Sequence, residues 1–261
     1  MADGNPPLVA LTGAGGMVGT VLLRTLGETG FAVRRLSRRV GPSCETGVAV
    51  LPPFDATESA FDEALAGVTH VVHAAGLTNA NAGTDEADFL KANTYLTDRL
   101  ARAARRATPG HFVFISSIRA VAGQGLGGVI DQATEPNPAC AYGRSKRLGE
   151  LAATEAFGDA AHRLKILRPA PVYGPGMKGN LGRLLGLAMT PYPLPLGGLS
   201  NRRSLLDVEA LARAVIHALT SSAAGAYVVS DREPVTVAGI VTAFRAGMGR
   251  QPGLFSVPAP L

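Results

Sequence analysis

The chain has 261 residues, of which 46% are hydrophobic and 17% charged, a balance typical of a packed globule rather than a disordered chain. No apolar run approaches the roughly 20 residues that a membrane span needs, and the first residues lack the basic region of a signal peptide, so we expect a cytoplasmic protein with no membrane partner. The net charge of +5 comes from dispersed arginines, which favours an anionic ligand over nucleic acid. Two cysteines are too few for a disulfide framework, and five histidines without ligand spacing predict no metal site.

Hydrophobic periodicity predicts alternating strands and helices from the start of the chain. The predicted elements are a strand at 8–12, a helix at 17–26, strands at 31–36 and 48–51, a helix at 58–65, a strand at 68–74, a helix at 85–107, a strand at 111–116, a helix at 142–157 and a strand at 164–169. Because the strands are apolar throughout and separated by helices, they predict a parallel sheet covered on both faces. The expected fold class is therefore α/β, with a doubly wound sheet of the Rossmann type.

The composition of the sequence changes after residue 169. Residues 170–200 are rich in Pro and Gly and are typical of a lid or loop around a pocket. A helix at 207–219, a strand at 226–229 and a helix at 237–248 follow. We therefore expect a main domain at 1–169 and a small lobe at 170–261 that is partly interwoven with the main sheet.

A glycine-rich turn at 12–19 joins the first strand to the first helix. Gly13 permits the tight turn, Gly16 lets the backbone approach a pyrophosphate, and Gly19 lets the helix pack close to the strand. The helix start offers unpaired N–H groups and a positive dipole to phosphates. The turn predicts a dinucleotide site in the main domain, and the alternative is a glycine turn that binds nothing.

The second strand indicates which dinucleotide binds. A carboxylate at its end suits the ribose 2′-OH of NAD, whereas arginine accommodates the 2′-phosphate of NADP. Residues 34–39 contain four arginines, Leu36 and Ser37, and no acid follows until Glu45. We expect NADP rather than NAD, with Ser37 and Arg38 as the contacts, although these arginines could instead form a solvated edge. Asp55 could accept a hydrogen bond from the adenine or cap the following helix.

Tyr142 and Lys146 are four residues apart on a predicted helix and therefore share a face. A tyrosine that acts as a base near neutral pH must lower its pKa from about 10 to about 7, which requires roughly 4 kcal/mol. The ammonium of Lys146 and an oxidised nicotinamide can supply that stabilisation. Ser117 ends the fifth strand at the edge where doubly wound sheets bind ligands, and it can hydrogen-bond a substrate oxygen. His73 is expected to be packed rather than catalytic, and Cys140 is expected to be a bystander.

Several motifs together resemble the extended short-chain dehydrogenases, specifically the nucleotide-sugar epimerase/dehydratase family. They are the glycine turn at 12–19, residues 71–76, Asn93, residues 112–117, residues 142–146, residues 167–176 and residues 201–207. The resemblance implies that Ser117, Tyr142 and Lys146 are catalytic. It also implies cofactor contacts from the glycine turn, with Gly13, Gly16, Met17 and Val18, and from Ala74, Ala75, Gly76, Asn93, Lys146 and Pro169.

A nucleotide-diphosphate sugar, UDP-linked, is the substrate that this resemblance implies. Lys178, Asn180 and Arg203 are the candidates for its diphosphate and uridine, although Lys178 and Arg203 could equally be solvated loop charges. Family dehydratases carry acidic residues after the catalytic hydroxyl, whereas Ile118 and Arg119 follow Ser117 here, so dehydratase activity is disfavoured. Relatives generally continue beyond Leu261, which suggests a short or truncated lobe.

We rank first a nucleotide-sugar epimerase that performs redox at C4 of a UDP-hexose through a 4-keto intermediate. An NADPH-dependent 4-ketoreductase of a nucleotide-linked deoxysugar is the alternative, because the same residues serve both reactions. A dinucleotide-binding sensor without turnover is a further alternative. By analogy with relatives, the helices at 85–107 and 142–157 could form a homodimer.

Overall fold

The computed structural model describes residues 5–38, 47–78, 85–123 and 128–257. Its strands are β1 (Leu8–Thr12), β2 (Ala32–Ser37), β3 (Val48–Val50), β4 (His70–His73), β5 (Phe112–Ile115), β6 (Leu164–Pro169), β7 (Val172–Tyr173), β8 (Arg202–Arg203), β9 (Leu206–Asp207), β10 (Gly225–Val229) and β11 (Val235–Thr236). Its α-helices are α1 (Met17–Glu28), α2 (Glu58–Ala64), α3 (Glu86–Phe89), α4 (Leu96–Ala107), α5 (Ala141–Phe157), α6 (Gly179–Met189), α7 (Val208–Thr220) and α8 (Val237–Gly247). None of the helices within these ranges is long and apolar enough to cross a bilayer.

Seven strands form one sheet in the order β10-β6-β5-β4-β1-β2-β3, and every neighbouring pair is parallel. The strand order reverses between β1 and β4, so their carboxyl ends open a crevice at that edge of the sheet. The predicted doubly wound parallel sheet is thus confirmed.

Apolar side chains cover both faces of this sheet. On one face the core contains Phe61 of α2, Leu100 of α4 and Phe157 of α5. On the other face it contains Leu22 of α1 and Leu211 of α7. Burial on both faces explains why the central strands are apolar without alternation.

The predicted helix at 85–107 is divided into three segments. A π-helical segment, Leu90–Tyr95, lies between α3 and α4 and contains the buried Asn93. A π-bulge inserts an extra residue into a helix and often occurs at functional sites. The hydrophobic period cannot reveal such an insertion, because the apolar face continues on both sides of it.

The prediction of loop structure at 170–200 is wrong over its middle part, where α6 forms. Helix α6 packs on α8, and Ala188, Leu194 and Val241 form a small separate core there. Short strands connect this region to the rest of the chain, with β7 pairing with β9 and β8 with β11. After this excursion, α7 packs beside α1 and β10 joins the edge of the main sheet.

Candidate cofactor and catalytic site

The glycine turn after β1 lies directly against the segment that follows β4. Gly13 has φ +75°, and a Cβ there would lie 2.7 Å from the backbone nitrogen of Ala75 and 2.8 Å from the carbonyl oxygen of Ala74. Helix α1 begins after Gly16 without a side-chain cap, and Met17 and Val18 form its half-buried first turn. Uncapped N–H groups beside a cradle that a Cβ would fill suit the pyrophosphate of a dinucleotide.

The arginines of β2 have different environments. Arg34 donates hydrogen bonds to the carbonyl oxygens of Ala64 at 3.2 Å and Ala66 at 2.7 Å, at the end of α2. The Arg34 side chain thus satisfies helix-end carbonyls, and it is not one of the two expected phosphate contacts, Ser37 and Arg38. Ser37 ends β2 and Arg38 is exposed directly after it, at the carboxyl edge of the sheet, while residue 39 lies outside the described ranges.

Asp55 is exposed after β3 and does not cap α2. That role belongs to Thr57, whose hydroxyl accepts a hydrogen bond from the backbone nitrogen of Ala60. Of the two roles considered for Asp55, the cap is thereby excluded.

His73 is fully buried between two threonines. Its Nδ1 lies 2.7 Å from the hydroxyl of Thr12, which also accepts a hydrogen bond from the backbone nitrogen of Ala75 at 3.1 Å. Its Nε2 lies 3.0 Å from the hydroxyl of Thr97, which donates to the carbonyl oxygen of Asn93 at 2.8 Å. Burial and the nearby Lys146 lower the pKa of His73 to about 3, so the ring is neutral.

Asn93 joins the loop after β4 to α5. Its amide oxygen accepts from the backbone nitrogen of Leu77 at 2.9 Å, and its amide nitrogen donates to the Leu77 carbonyl and to the Ser145 hydroxyl, both at 3.0 Å. A Cβ on Gly76 would lie 2.5 Å from the Asn93 amide oxygen and 3.6 Å from the Lys146 ammonium. The absence of a side chain at Gly76 therefore lets three segments meet beside Lys146.

Ser117, Tyr142 and Lys146 converge at the carboxyl end of β5. The Ser117 hydroxyl lies close enough to the Tyr142 side chain to favour the ionised form of the phenol. One helical turn beyond Tyr142, the Lys146 ammonium donates to the Ile115 carbonyl at 2.7 Å and lies 4.4 Å from the centre of the Phe114 ring. Pro169 is buried at the end of the adjacent β6.

Burial dominates the electrostatics of this group. It raises the pKa of Tyr142, while the Ser117 hydroxyl and the charge of Arg119 act in the opposite direction. Burial also lowers the pKa of Lys146 to about 7, although the Glu150 carboxylate opposes this shift. Lys146 is not among the groups that lower the Tyr142 pKa in the chain alone, and its expected effect together with an oxidised nicotinamide stays a prediction. Burial disfavours the charged form of Lys146, and its ammonium donates a hydrogen bond to a backbone carbonyl.

A buried ionic cluster beneath Lys146 was missed from the sequence. Glu150, one turn further along α5, accepts a hydrogen bond from the Ser116 hydroxyl at 2.6 Å and is paired with Arg168 of β6 and Arg147. Two signals were present: an arginine inside β6, and an acid four residues after Lys146. Neither identifies the partner, since the pairing joins elements that are distant in sequence.

The candidate substrate residues lie apart from this cluster. Lys178 immediately precedes α6, Asn180 is in its first turn, and Arg203 is on β8, which pairs with β11. All three are exposed, and among the described residues no hydrogen bond or ion pair joins them to Ser117, Tyr142 or Lys146. The neighbouring Arg202 donates to the Pro234 carbonyl at 3.0 Å, whereas Arg203 stays open to solvent.

Residues 9–230 match the model of the NAD dependent epimerase/dehydratase family. The chain belongs to this family. Among curated relatives, a UDP-glucose 4-epimerase of Vibrio cholerae is 29% identical over 97% of this chain and 79% of its own length. A ceramide reductase of Caulobacter vibrioides is 32% identical over the whole of this chain and 76% of its own length.

Solved structures agree with this fold. The UDP-N-acetylglucosamine 4-epimerase from Bacillus cereus has a TM-score of 0.82 at 21% identity, covering 95% of this chain and 84% of that one. The protein MoeE5, solved with UDP-glucose and NAD, has a TM-score of 0.77 at 25% identity, covering 96% of this chain and 85% of that one. The resemblance to extended short-chain dehydrogenases is thereby confirmed, and this epimerase/dehydratase family member stands among NAD(P)-dependent epimerases and reductases.

Proposed function

We propose that this family member is a nucleotide-sugar 4-epimerase that acts on a UDP-hexose. The observation that carries the proposal is that Ser117, Tyr142 and Lys146, which is buried one helical turn beyond Tyr142, converge at the carboxyl end of β5. This is the edge at which doubly wound sheets bind their ligands. The similarity to the Vibrio cholerae UDP-glucose 4-epimerase over nearly the whole chain supports the choice of substrate class.

The proposed reaction needs a base and an oxygen-binding group at one carbon. Ser117 hydrogen-bonds the C4 oxygen of the sugar, and Tyr142 takes the proton of that hydroxyl while C4 loses hydride. When bound, the nicotinamide supplies the hydride acceptor and later returns hydride to the other face of the 4-keto sugar. Ser117 and Arg119 favour the phenolate, whereas burial disfavours it by raising the Tyr142 pKa. We assign the remaining stabilisation to Lys146 together with the positive charge of an oxidised nicotinamide.

We assign the cofactor site to the glycine turn, the 74–76 loop and Asn93, with NADP favoured. The exposed Arg38 directly follows Ser37 at the end of β2, and the sequence has no acid between Arg38 and Glu45. A guanidinium at that position suits the 2′-phosphate. The diphosphate of the sugar nucleotide is assigned to Lys178, Asn180 and Arg203, whose exposure leaves their polar groups available.

A second candidate is an NADPH-dependent ketoreductase, and one observation favours it. A tyrosine with a raised pKa is held in its protonated form, which is the proton donor that ketone reduction consumes. The similarity to the Caulobacter vibrioides ceramide reductase supports the same direction of reaction.

The test begins with extraction of the dinucleotide that copurifies with the protein, followed by assays with UDP-glucose and UDP-galactose. An epimerase interconverts the two sugars without net consumption of cofactor, whereas a reductase consumes NADPH in proportion to product.

Tyr142→Phe should lower turnover by about 10²–10⁴-fold and leave the cofactor Kd nearly unchanged. The matched control is Tyr227→Phe, because the Tyr227 hydroxyl donates to the Ala224 carbonyl on the sheet edge. Full activity in Tyr142→Phe would refute both candidates.

A further inference from the structure

A continuous chain of hydrogen bonds crosses the interior from the glycine turn to the π-helical segment, and His73 stands at its centre. It runs from the Ala75 nitrogen through Thr12, His73 and Thr97 to the Asn93 carbonyl. The residues Thr12, His73, Thr97 and Asn93 are all 0% exposed, so water cannot substitute for any member.

The hydrogen bonds allow one set of proton positions for a neutral ring. Thr97 donates its hydroxyl proton to the Asn93 carbonyl, so it must accept from His73 Nε2. The imidazole then carries its proton on Nε2 and accepts at Nδ1. Thr12 donates to that Nδ1 and uses a lone pair for the Ala75 N–H. Every donor in this series of hydrogen bonds therefore has an acceptor.

The two ends of this series of hydrogen bonds lie against two parts of the proposed cofactor site. Ala75 lies against Gly13 of the glycine turn, whereas Asn93 is bonded to Leu77 and lies beside Gly76. A side chain on Gly76 would meet both the Asn93 amide oxygen and the Lys146 ammonium. A change in the spacing between Thr12 and Thr97 would therefore shift the backbone that surrounds Lys146.

We propose that His73, as a neutral ring protonated on Nε2, is a positioning residue that sets the distance between the glycine turn and Asn93. The inference rests on the proposed cofactor site and is independent of the proposed sugar. Histidine suits the position because its rigid ring offers an acceptor and a donor on opposite sides. It also stacks on Phe114, with ring centres 5.4 Å apart and an angle of 16° between the planes.

Two pairs of variants test this role. His73→Phe keeps a flat ring against Phe114 and removes both hydrogen bonds, while His70→Phe is the control on the same strand, where His70 Nδ1 accepts from the His111 nitrogen. Thr97→Val removes the hydroxyl and Thr97→Ser retains it. We expect His73→Phe and Thr97→Val to weaken NADPH binding and lower kcat by about tenfold or more, with an unchanged KM for the sugar nucleotide. Thr97→Ser and His70→Phe should stay within about twofold of the parent.

The protonation of the ring provides a readout without any substrate. The nitrogen spectrum of the ¹⁵N-histidine-labelled protein at pH 7 should show His73 with Nε2 protonated and Nδ1 unprotonated. A ring protonated on Nδ1, or on both nitrogens, would overturn the inference. So would a folded His73→Phe protein whose NADPH Kd lies within about twofold of the parent's. If no sugar nucleotide is turned over even by the parent, the spectrum and the Kd values still decide on His73, and the failure belongs to the proposed function.

Discussion

Arg168 forms two hydrogen bonds with the Glu150 carboxylate, from Nε to Oε1 at 3.0 Å and from Nη2 to Oε2 at 2.7 Å. The exposed fractions of the two side chains are 6% and 1%. Through this pair, β6 holds α5 at the turn that follows Lys146. Because the Ser116 hydroxyl bonds the same carboxylate, the position of the β5 end depends on it as well.

Removal of one partner of this buried pair should destabilise the fold strongly. We expect Glu150→Leu to lower the free energy of unfolding by about 3–5 kcal/mol, because the Arg168 guanidinium would remain buried without a counter-charge. The double variant Glu150→Leu/Arg168→Met should lose less than Glu150→Leu alone, since it removes the buried guanidinium and leaves only Arg147, whose side chain is 29% exposed, without its partner. Urea denaturation of the variants measures these differences, and a loss below about 1 kcal/mol in Glu150→Leu would contradict the assignment.

The glycine turn offers a matched pair of alanine substitutions. Gly13→Ala should both destabilise the protein and abolish dinucleotide binding, because Gly13 has φ +75° and its new Cβ would collide with the backbone of Ala74 and Ala75. Gly15→Ala should fold as stably as the parent, since a Cβ there meets nothing within 4 Å. Thermal melts together with NADPH fluorescence titration compare the two. Equal melting temperatures for both variants would show that the turn tolerates a side chain at residue 13.

The two arginines of the second strand should differ in their effect on coenzyme choice. Arg38→Met is expected to weaken NADPH binding by about 10–100-fold and to leave NADH binding nearly unchanged, because a charged hydrogen bond to the 2′-phosphate is lost. Arg34→Met should preserve the ratio of the two affinities, since Arg34 bonds the Ala64 and Ala66 carbonyls. Direct titration with both coenzymes gives the ratios. If the Arg34 variant changed the ratio of the NADPH and NADH affinities and the Arg38 variant did not, the 2′-phosphate would bind at a site other than Arg38.

The burial of Lys146 should be visible in the pH dependence of stability. Folding lowers the pKa of Lys146 to about 7, so the unfolded chain binds more protons above that pH. The free energy of unfolding should therefore rise from about pH 7 toward the pKa of the free side chain, by up to about 1.4 kcal/mol per pH unit. Lys146→Met should lose this contribution, whereas Lys91→Met, at an exposed position, should keep it. Parallel pH profiles for the parent and Lys146→Met would contradict the shifted pKa.

The main sheet could be predicted because its signals are local. Apolar strands, helix-period segments and the glycine turn each lie within about a dozen residues, and the structure places β1 through β6 where they were expected. Helix α6 was missed because Gly179, Gly182 and Gly186 lower its intrinsic propensity. Packing on α8 supplies the stability that the local sequence lacks.

The candidate site also contains residues that could be predicted from local motifs and contacts that could not. Ser117, Tyr142 and Lys146 belong to motifs whose spacing is readable, and the structure brings them together. The partner of Glu150 and the destination of the Arg34 side chain were not readable, since each depends on contacts between elements far apart in sequence. The arginine run of β2 looked uniform, although neighbouring residues of a strand point to opposite faces.

The pairing of β7 with β9 affects where the chain can tolerate changes in length and sequence. Val172 lies opposite Leu206 and Tyr173 opposite Asp207, so the excursion of residues 174–205 leaves and re-enters the molecule at adjacent points. A length change inside such a closed excursion costs little chain entropy, and the parallel register at its base can stay intact. Evolution or engineering can therefore remodel the part that carries Lys178 and Arg203 as one unit and leave the sheet edge that holds Tyr142 untouched. The contacts of this unit with β11, with α8 and with residues 254 and 255 would have to be rebuilt at the same time.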